Sequence, residues 1–167
     1  MVNLLYKERA KKEGYKKMIR FTKGNLLDSP ASALVNTVNT VGVMGKGIAL
    51  QFKEAFPYNY QVYRDACKKG KLQIGELLVV KDSNFLTGEK QIINFPTKTD
   101  WRMPSEYVYI EKGLIALRTY IQEYGMENLA MPAPGCGNGG LTWSIVKPII
   151  EKCLSGLDIV IEVYEPG

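Results

Sequence analysis

The sequence lacks histidine entirely, and it has only three cysteines, Cys67, Cys136 and Cys153. The cysteines are far apart and do not have the spacing of metal ligands, so a structural zinc site is excluded and reduced thiols are expected. No apolar run approaches the roughly 20 residues that cross a bilayer. Residues 1–17 are charged throughout and lack the apolar core of a signal peptide. These absences predict a cytoplasmic protein without a metal or a membrane segment.

Basic charge is concentrated at the start of the chain. The formal net charge is +5, and residues 1–17 supply +4 of it, from six basic and two acidic side chains. The remaining 16 basic and 15 acidic residues nearly cancel, which is not the distribution of a dedicated DNA-binding fold. We therefore divide the chain into a basic N-terminal extension, residues 1–17, and one domain, residues 18–167. The extension is either a solvated tail or an arm that touches a polyanion.

Apolar periodicity predicts alternating strands and helices without an internal repeat. The clearest helix runs from Tyr107 to Tyr124, where apolar residues recur at spacings of three and four to form a buried stripe, and Gly125 ends it. No helix separates the strands that flank residues 82–88, so we expect them to pair as an antiparallel hairpin. The fold class is α/β, a three-layer α/β/α arrangement with a mixed, mostly parallel central sheet. Strands are predicted at 19–23, 33–38, 76–81, 91–95, 128–133 and 157–164.

Ligands of such sheets bind beyond the carboxyl ends of the strands, and the loop after the first strand offers an amide there. Gly24 lets the backbone turn, and Asn25 and Leu26 follow immediately. This pattern is typical either of an ordinary turn or of a loop that reads a nucleobase.

The second such loop, residues 35–49, passes through spaced glycines into a helix that we expect to begin near Lys46. Glycines allow close backbone approach, and a helix N-terminus attracts a phosphate. The Gly45-Lys46-Gly47 spacing matches neither a nucleotide-triphosphatase loop nor a dinucleotide fingerprint. Asn36 and Asn39 either present amides to a sugar or cap the local backbone.

The third loop has four glycines in six positions, from Gly135 to Gly140. Because each glycine costs conformational entropy on folding, we interpret the run as a nest of backbone N–H groups for a second phosphate, with φ above zero at Gly137 among others. Two phosphate sites indicate a diphosphate ligand. Cys136 is either a small packing residue or a nucleophile, and no histidine is available to activate it.

These motifs, in this order and spacing, resemble the macrodomains over residues 18–166. The resemblance implies an ADP-ribose ligand, with Asn25 at the position, usually aspartate, that accepts from the adenine amino group. Asn36 and Asn39 would lie near the distal ribose, and the glycine loops would hold the diphosphate. The implied contacts are Asn25, Leu26, Asn36, Asn39, Thr40, Gly45, Lys46, Gly47, Ile48, Ala49, Pro134, Gly135, Cys136, Gly137, Asn138, Gly139, Gly140 and Leu141.

Within the macrodomains, the chain lacks the aspartate that common hydrolases carry just after the second loop's glycines. Its stretch from Asn94 to Arg102 is instead similar to the DarG antitoxins and to the terminal ADP-ribose protein glycohydrolases, whose catalytic lysine corresponds to Lys98. The protein enzyme also uses an aspartate where this chain has Gly139, so the resemblance to DarG is the closer one. Trp101 and Arg102 are possible DNA contacts, although Trp101 could simply anchor the next helix.

The resemblance implies a hydrolase that removes ADP-ribose from thymine bases of ADP-ribosylated single-stranded DNA. It also implies a toxin–antitoxin pair with a DarT-like ADP-ribosyltransferase, a monomer, and no cofactor. Lys98 would act either as an ammonium acid or as an amine nucleophile. Three alternatives remain open: a non-catalytic ADP-ribose reader, a hydrolase acting on ADP-ribosylated protein, and a phosphatase acting on ADP-ribose 1″-phosphate.

Overall fold

A computed structural model of the protein describes residues 18–167, so the predicted N-terminal extension lies outside the described residues. The strands are β1 Met18–Thr22, β2 Ala33–Asn39, β3 Leu78–Asn84, β4 Gly88–Lys98, β5 Asn128–Pro132 and β6 Val160–Tyr164. The helices are α1 Gly47–Ala55, α2 Pro57–Lys68, α3 Tyr107–Tyr124 and α4 Trp143–Leu154, with a short 3-10 helix at Leu26–Asp28.

The six strands form one sheet in the order β1-β6-β5-β2-β4-β3. Strand β3 runs antiparallel to β4 through the hairpin in which Asn84 opposes Gly88, and every other pairing is parallel. The predicted mixed, mostly parallel sheet and its hairpin are therefore confirmed. All the parallel strands present their carboxyl ends at the same edge of the sheet.

Helices cover both faces of the sheet. Helices α3 and α4 pack on one face over a core that includes Leu117 and Ile150, and helices α1 and α2 cover the other through Phe52 and Tyr63. This confirms the three-layer arrangement. No helix in the part of the chain that the structure describes is both long and apolar enough to cross a membrane.

Helix α3 buries the predicted stripe, since Ile110, Leu114 and Leu117 are fully buried. The prediction is wrong at Tyr124, which is 70% exposed. This tyrosine lies in the last turn, just before Gly125, where the helix has passed the edge of the core. Gly113 lets the helix approach the sheet, because an added Cβ there would lie 2.2 Å from the ring of Phe95.

Strand β4 continues three residues beyond the predicted end at Phe95 and finishes at Lys98. Pro96 is tolerated inside it because the pairing with β3 stops at Asn94, so that side of the strand needs no N–H donor. These three additional strand residues make Lys98 part of the sheet and fix its backbone at the carboxyl edge.

Candidate functional site

The loops at the carboxyl edge of the sheet surround a cavity of about 880 Å³. All five parallel strands, β1, β6, β5, β2 and β4, contribute residues that follow or end them. The volume lies within the range of small-molecule sites, and such sheets bind ligands at this edge. The sequence therefore located the cavity correctly.

The first loop turns at Gly24, whose φ of +129° suits glycine. Asn25 caps the 3-10 helix, and its side-chain oxygen accepts a hydrogen bond from the Leu27 N–H at 3.1 Å. An amide oxygen has two lone pairs, so one remains for a ligand. Asn25 lines the cavity beside Tyr164, which ends the neighbouring strand β6, and Glu165, which follows it.

Asn39 organises the second loop. Its side-chain oxygen accepts hydrogen bonds from the Tyr63 hydroxyl at 2.9 Å and from the N–H groups of Val41 and Val43 at 3.1 and 3.3 Å. Its amide group donates to the Val43 carbonyl at 2.8 Å. Burial raises the pKa of Tyr63, so the phenol stays protonated as a donor. Asn39 therefore lines the cavity, but its side-chain oxygen already accepts hydrogen bonds from the second loop and from Tyr63.

Helix α1 begins in the cavity wall. Lys46 is its N-cap and makes no capping bond through its side chain, and Gly47, with φ of +55°, starts the helix. Gly47, Ile48 and Ala49 all line the cavity. A helix N-terminus with N–H groups that no side chain caps is a binding site for an anion.

The third loop uses positive φ at Gly135 and Gly140, with values of +77° and +78°. The expectation for Gly137 is wrong, because its φ is not in that region; an added Cβ there would nonetheless meet no atom within 4 Å. Gly137 is therefore open toward the cavity that it lines.

Gly139 is buried and tightly enclosed. An added Cβ would lie 2.3 Å from the Ser105 hydroxyl oxygen and 2.5 Å from the Gly135 carbonyl oxygen. An aspartate at this position could not fit without moving the loop. The arrangement expected for the terminal ADP-ribose protein glycohydrolases, with an aspartate at this position of the third loop, is thus sterically excluded here.

Cys136 lines the cavity but packs against the core. Burial raises the pKa of its thiol to about 11. Since the thiolate is the reactive form, this raised pKa and the packing against the core favour the interpretation of Cys136 as a packing residue.

Lys98 ends β4 at the cavity wall and is half-buried. Its Nζ donates to the Asn138 carbonyl oxygen at 2.8 Å, which ties the strand to the third loop. Burial lowers the pKa of this amine, and the positive charge of Lys46 lowers it further. Both effects favour the uncharged, nucleophilic form relative to an ordinary lysine.

Among the cavity-lining residues that the structure describes, Glu165 has the one carboxylate side chain. It accepts a hydrogen bond from the Trp143 indole at 3.2 Å. Glu165 follows β6 and Lys98 ends β4, so three strand spacings, about 14 Å, separate their positions along the sheet. Lys98 therefore has no neighbouring wall carboxylate to share its chemistry. No cluster of potential metal ligands occurs within residues 18–167.

Trp101 lines the cavity, whereas Arg102 lies outside it. Two nitrogens of Arg102 donate to the Asp100 carboxylate at 3.0 and 2.8 Å. These hydrogen bonds lower the pKa of Asp100 to about 2, so the pair is ionised at neutral pH. The charge of Arg102 is largely neutralised by its partner.

Asn36 and Thr40 also lie outside the cavity wall. Asn36 is fully buried three residues before the end of β2, where its amide donates to Met44 sulfur and Asn94 oxygen. The Thr40 hydroxyl donates to the Thr99 carbonyl at 2.8 Å. The predicted residues absent from the wall are Asn36, Thr40, Arg102, Pro134, Gly140 and Leu141.

Sequence reasoning missed the contribution of β6. Its end carries no glycine signature, but the parallel topology brings it to the same edge, which is the signal that could have found it. The wall residues not predicted are Gly24, Thr37, Val38, Val43, Gln51, Thr97, Pro132, Ala133, Tyr164, Glu165, Pro166 and Gly167.

A family model for the macro domain matches residues 35–150. The chain belongs to this family. A Thermus aquaticus protein named DNA ADP-ribosyl glycohydrolase is 53% identical to this macrodomain over 150 residues, which are 89% of this chain and 41% of the relative. A fusion protein of Thermosipho africanus, named DNA ADP-ribosyl transferase-DNA ADP-ribosyl glycohydrolase, is 39% identical over 89% of this chain and 42% of its own length.

Among solved structures, the macrodomain of Mycobacterium tuberculosis DarG has a TM-score of 0.86 and 46% identity, covering 90% of this chain and 99% of that one. The likeness therefore extends over a whole structural unit. This macrodomain spans about two-fifths of the length of the curated relatives that it matches.

Proposed function

We propose that this macrodomain is an ADP-ribosyl glycohydrolase that removes ADP-ribose from thymine bases of single-stranded DNA. The observation that carries the proposal is Lys98, an amine with a lowered pKa in the wall of an ADP-ribose-sized cavity. The names of the relatives from Thermus aquaticus and Thermosipho africanus support glycohydrolase activity on ADP-ribosylated DNA.

The order of the loops sets the orientation of the ligand. Asn25, at the β1 side, would accept from the adenine amino group, and the N-terminus of α1 and Gly137 would face the diphosphate. The distal ribose would then lie toward β4, beside Lys98. The cavity wall follows the same order across the sheet, from β1 to β4.

In the proposed reaction, unprotonated Nζ of Lys98 attacks C1″ of the distal ribose. The bond from C1″ to the base breaks, its electron pair leaves with the base nitrogen, and that nitrogen takes a proton from water. The lysyl adduct loses a proton, opens to an imine, and is hydrolysed by water to free ADP-ribose and the amine. The lowered pKa of Lys98 and the distance of Glu165 favour this route over water activation by a carboxylate.

Turnover assays on ADP-ribosylated single-stranded DNA and, separately, on ADP-ribosylated protein test the proposal. We expect release of ADP-ribose from DNA at a much higher kcat/KM. Binding of ADP-ribose without turnover on either carrier would identify a reader, and release of inorganic phosphate from ADP-ribose 1″-phosphate would identify a phosphatase.

Borohydride added during turnover tests the role of Lys98. Reduction of the imine should leave a covalent adduct on Lys98, which peptide mass spectrometry locates. Turnover without a trapped adduct would indicate that Lys98 acts as an ammonium acid on the departing base instead.

The proposal includes a partner. The relative from Thermosipho africanus joins a transferase and a glycohydrolase in one chain, so we propose a DarT-like ADP-ribosyltransferase as the toxin whose product this macrodomain reverses. A cytoplasmic location, where the three free thiols would stay reduced, and a monomeric state belong to the same proposal. Co-purification of a co-expressed transferase would test the partnership.

A further inference from the structure

Large apolar side chains are exposed on two loops beside Lys98. Val41 and Val43, after β2, are 47% and 39% exposed, and Trp101 and Met103, after β4, are 49% and 55% exposed. The Thr40 hydroxyl donates to the Thr99 carbonyl at 2.8 Å and joins the two loops. We name Val41, Val43, Trp101 and Met103 the apolar rim.

The apolar rim is held in place by local contacts. Asp100 accepts from the Arg102 backbone N–H at 2.9 Å and from its guanidinium, and the Met103 N–H donates to the Asp100 carbonyl at 3.0 Å. The Arg102 guanidinium lies 5.4 Å from the centre of the Trp101 ring. These contacts fix the indole beside the cavity while nearly half of its surface stays exposed.

The charges of this region fit a nucleic acid without making a strongly cationic groove. Asp100 neutralises Arg102, and Lys98 is proposed to react as the uncharged amine, so the positive charge of the cavity wall near the apolar rim comes mainly from Lys46. This charge attracts a phosphate backbone, and the exposed side chains of the rim itself are aromatic or aliphatic.

We propose that the apolar rim binds the nucleobases that flank the modified base, by stacking on Trp101 and by apolar contact with Val41 and Met103. The inference rests on the proposed function and adds to it the means of carrier recognition. Stacking is tolerant of sequence, because every base has a π-face. Only an unpaired strand can turn those faces toward a protein surface, so the rim selects single-stranded DNA over duplex.

Three substrates that carry the same ADP-ribosylated thymidine distinguish recognition of the flanking bases from cleavage of the glycosidic bond. They are an ADP-ribosylated thymidine nucleoside, a single-stranded oligonucleotide with that nucleoside at its centre, and the same oligonucleotide annealed to a complement. For the wild type, we expect kcat/KM to be highest for the single strand and lower for both the nucleoside and the duplex. The preference should persist in moderate salt, since stacking is screened less than phosphate contacts.

Substitutions of the apolar rim should lower the ratio of oligonucleotide to nucleoside kcat/KM. We expect a loss on the order of tenfold for Trp101→Ala, the scale of one base stack, and about threefold for Met103→Ser. Ile115→Ser is the matched control, because Ile115 is 53% exposed on α3, away from the two loops. The control should leave the ratio unchanged.

Binding of an unmodified, fluorescently labelled single strand, measured with ADP-ribose present, tests the rim independently of turnover. Weaker binding by Trp101→Ala and Met103→Ser supports the inference even if no carrier is hydrolysed. Absence of hydrolysis would contradict only the proposed function. Equal ratios in the wild type and both rim variants, with equal DNA binding, would overturn the inference. So would equal losses on ADP-ribosylated protein, which would identify the rim as a protein contact.

Discussion

Strand β4 carries one lysine near each end, and the two differ in what surrounds them. Lys90, at the amino end, is 6% exposed and its Nζ donates to the carbonyl oxygens of Ser29 and Ala31. Lys98, at the carboxyl end, is half-buried and donates to the Asn138 carbonyl beside the cavity. Burial lowers the pKa of both amines, and Lys46 adds to the effect at Lys98.

A lowered lysine pKa therefore marks burial and does not by itself mark catalysis. Lys90 joins β4 to the segment that precedes β2, and it is not part of the cavity wall. Lys98 has the same chemistry with access to a ligand. Lys90 at the amino end of β4 thus has a structural role, and the reactive role at the carboxyl end is the one that we propose for Lys98.

The largest expected effect is the loss of ADP-ribose binding in Gly137→Val, a change in the third loop of the cavity wall. Its side chain would enter open space, so the fold should survive, yet it would occupy the wall where a phosphate approaches the backbone. Calorimetry should detect no ADP-ribose binding, and circular dichroism should be unchanged. Near-normal affinity would mean that the third loop does not hold the diphosphate.

Lys98→Met should reduce release of ADP-ribose from modified DNA by at least about a hundredfold, because the other lysine of the wall, Lys46, is the N-cap residue of α1 and does not occupy the end of β4, where the proposed attack takes place. Free ADP-ribose should still bind within a few-fold of the wild-type affinity. A parallel loss of binding and turnover would show that Lys98 is a ligand contact, and surviving turnover would place the chemistry elsewhere.

Lys90→Met makes the same change at the other end of the strand. It removes the donor to two buried carbonyl oxygens, so we expect the free energy of unfolding to fall by about 1–2 kcal/mol, with turnover retained. Urea unfolding measures the change. If Lys98→Met destabilises the protein as much as Lys90→Met does, the assigned division between structural and reactive ends is wrong.

The smallest expected effect is a pH dependence of stability due to Lys90. Its folded-state pKa is lowered, so the unfolded chain binds more protons between the folded value and the ordinary value of about 10.4. Stability from this group therefore rises with pH through that window and is lowest below it. The difference in Tm between wild type and Lys90→Met should change in favour of the wild type from about pH 8 to about pH 10.

Measuring that difference is necessary because other groups oppose it. Burial raises the pKa values of Cys136 and Tyr63, so these groups lower the stability of both proteins as pH rises. A difference in Tm that stays constant over the window would show that Lys90 does not titrate there.

Local patterns predicted much of the fold and the position of the site. The spacing of Ile110, Leu114 and Leu117 defined α3, because helical periodicity is a property of neighbouring residues. The glycines of the second and third loops identified two walls of the cavity, since few ordinary connections need so many glycines. The wall at the end of β6 was missed because Tyr164 and Glu165 form no recognisable pattern.

Two further features have tertiary causes. The length of β4 depends on where its pairing with β3 stops, which lets Pro96 lie within the strand. The role of Asn39 depends on the Tyr63 hydroxyl, 24 positions away. Neither contact has a signal in the residues that surround it in the sequence.

Sequence patterns alone predicted the α/β class and the edge of the sheet at which the cavity lies, and the resemblance of the stretch from Asn94 to Arg102 to the DarG antitoxins implied Lys98 as the residue to test. The first two predictions follow from periodicity and glycine content. Tertiary packing decided that Asn36 is buried away from the cavity, that Gly139 has no room for a side chain, and that Lys98 lines the cavity whereas Lys90 does not. These facts depend on distances between segments far apart in the chain, and packing alone sets those distances.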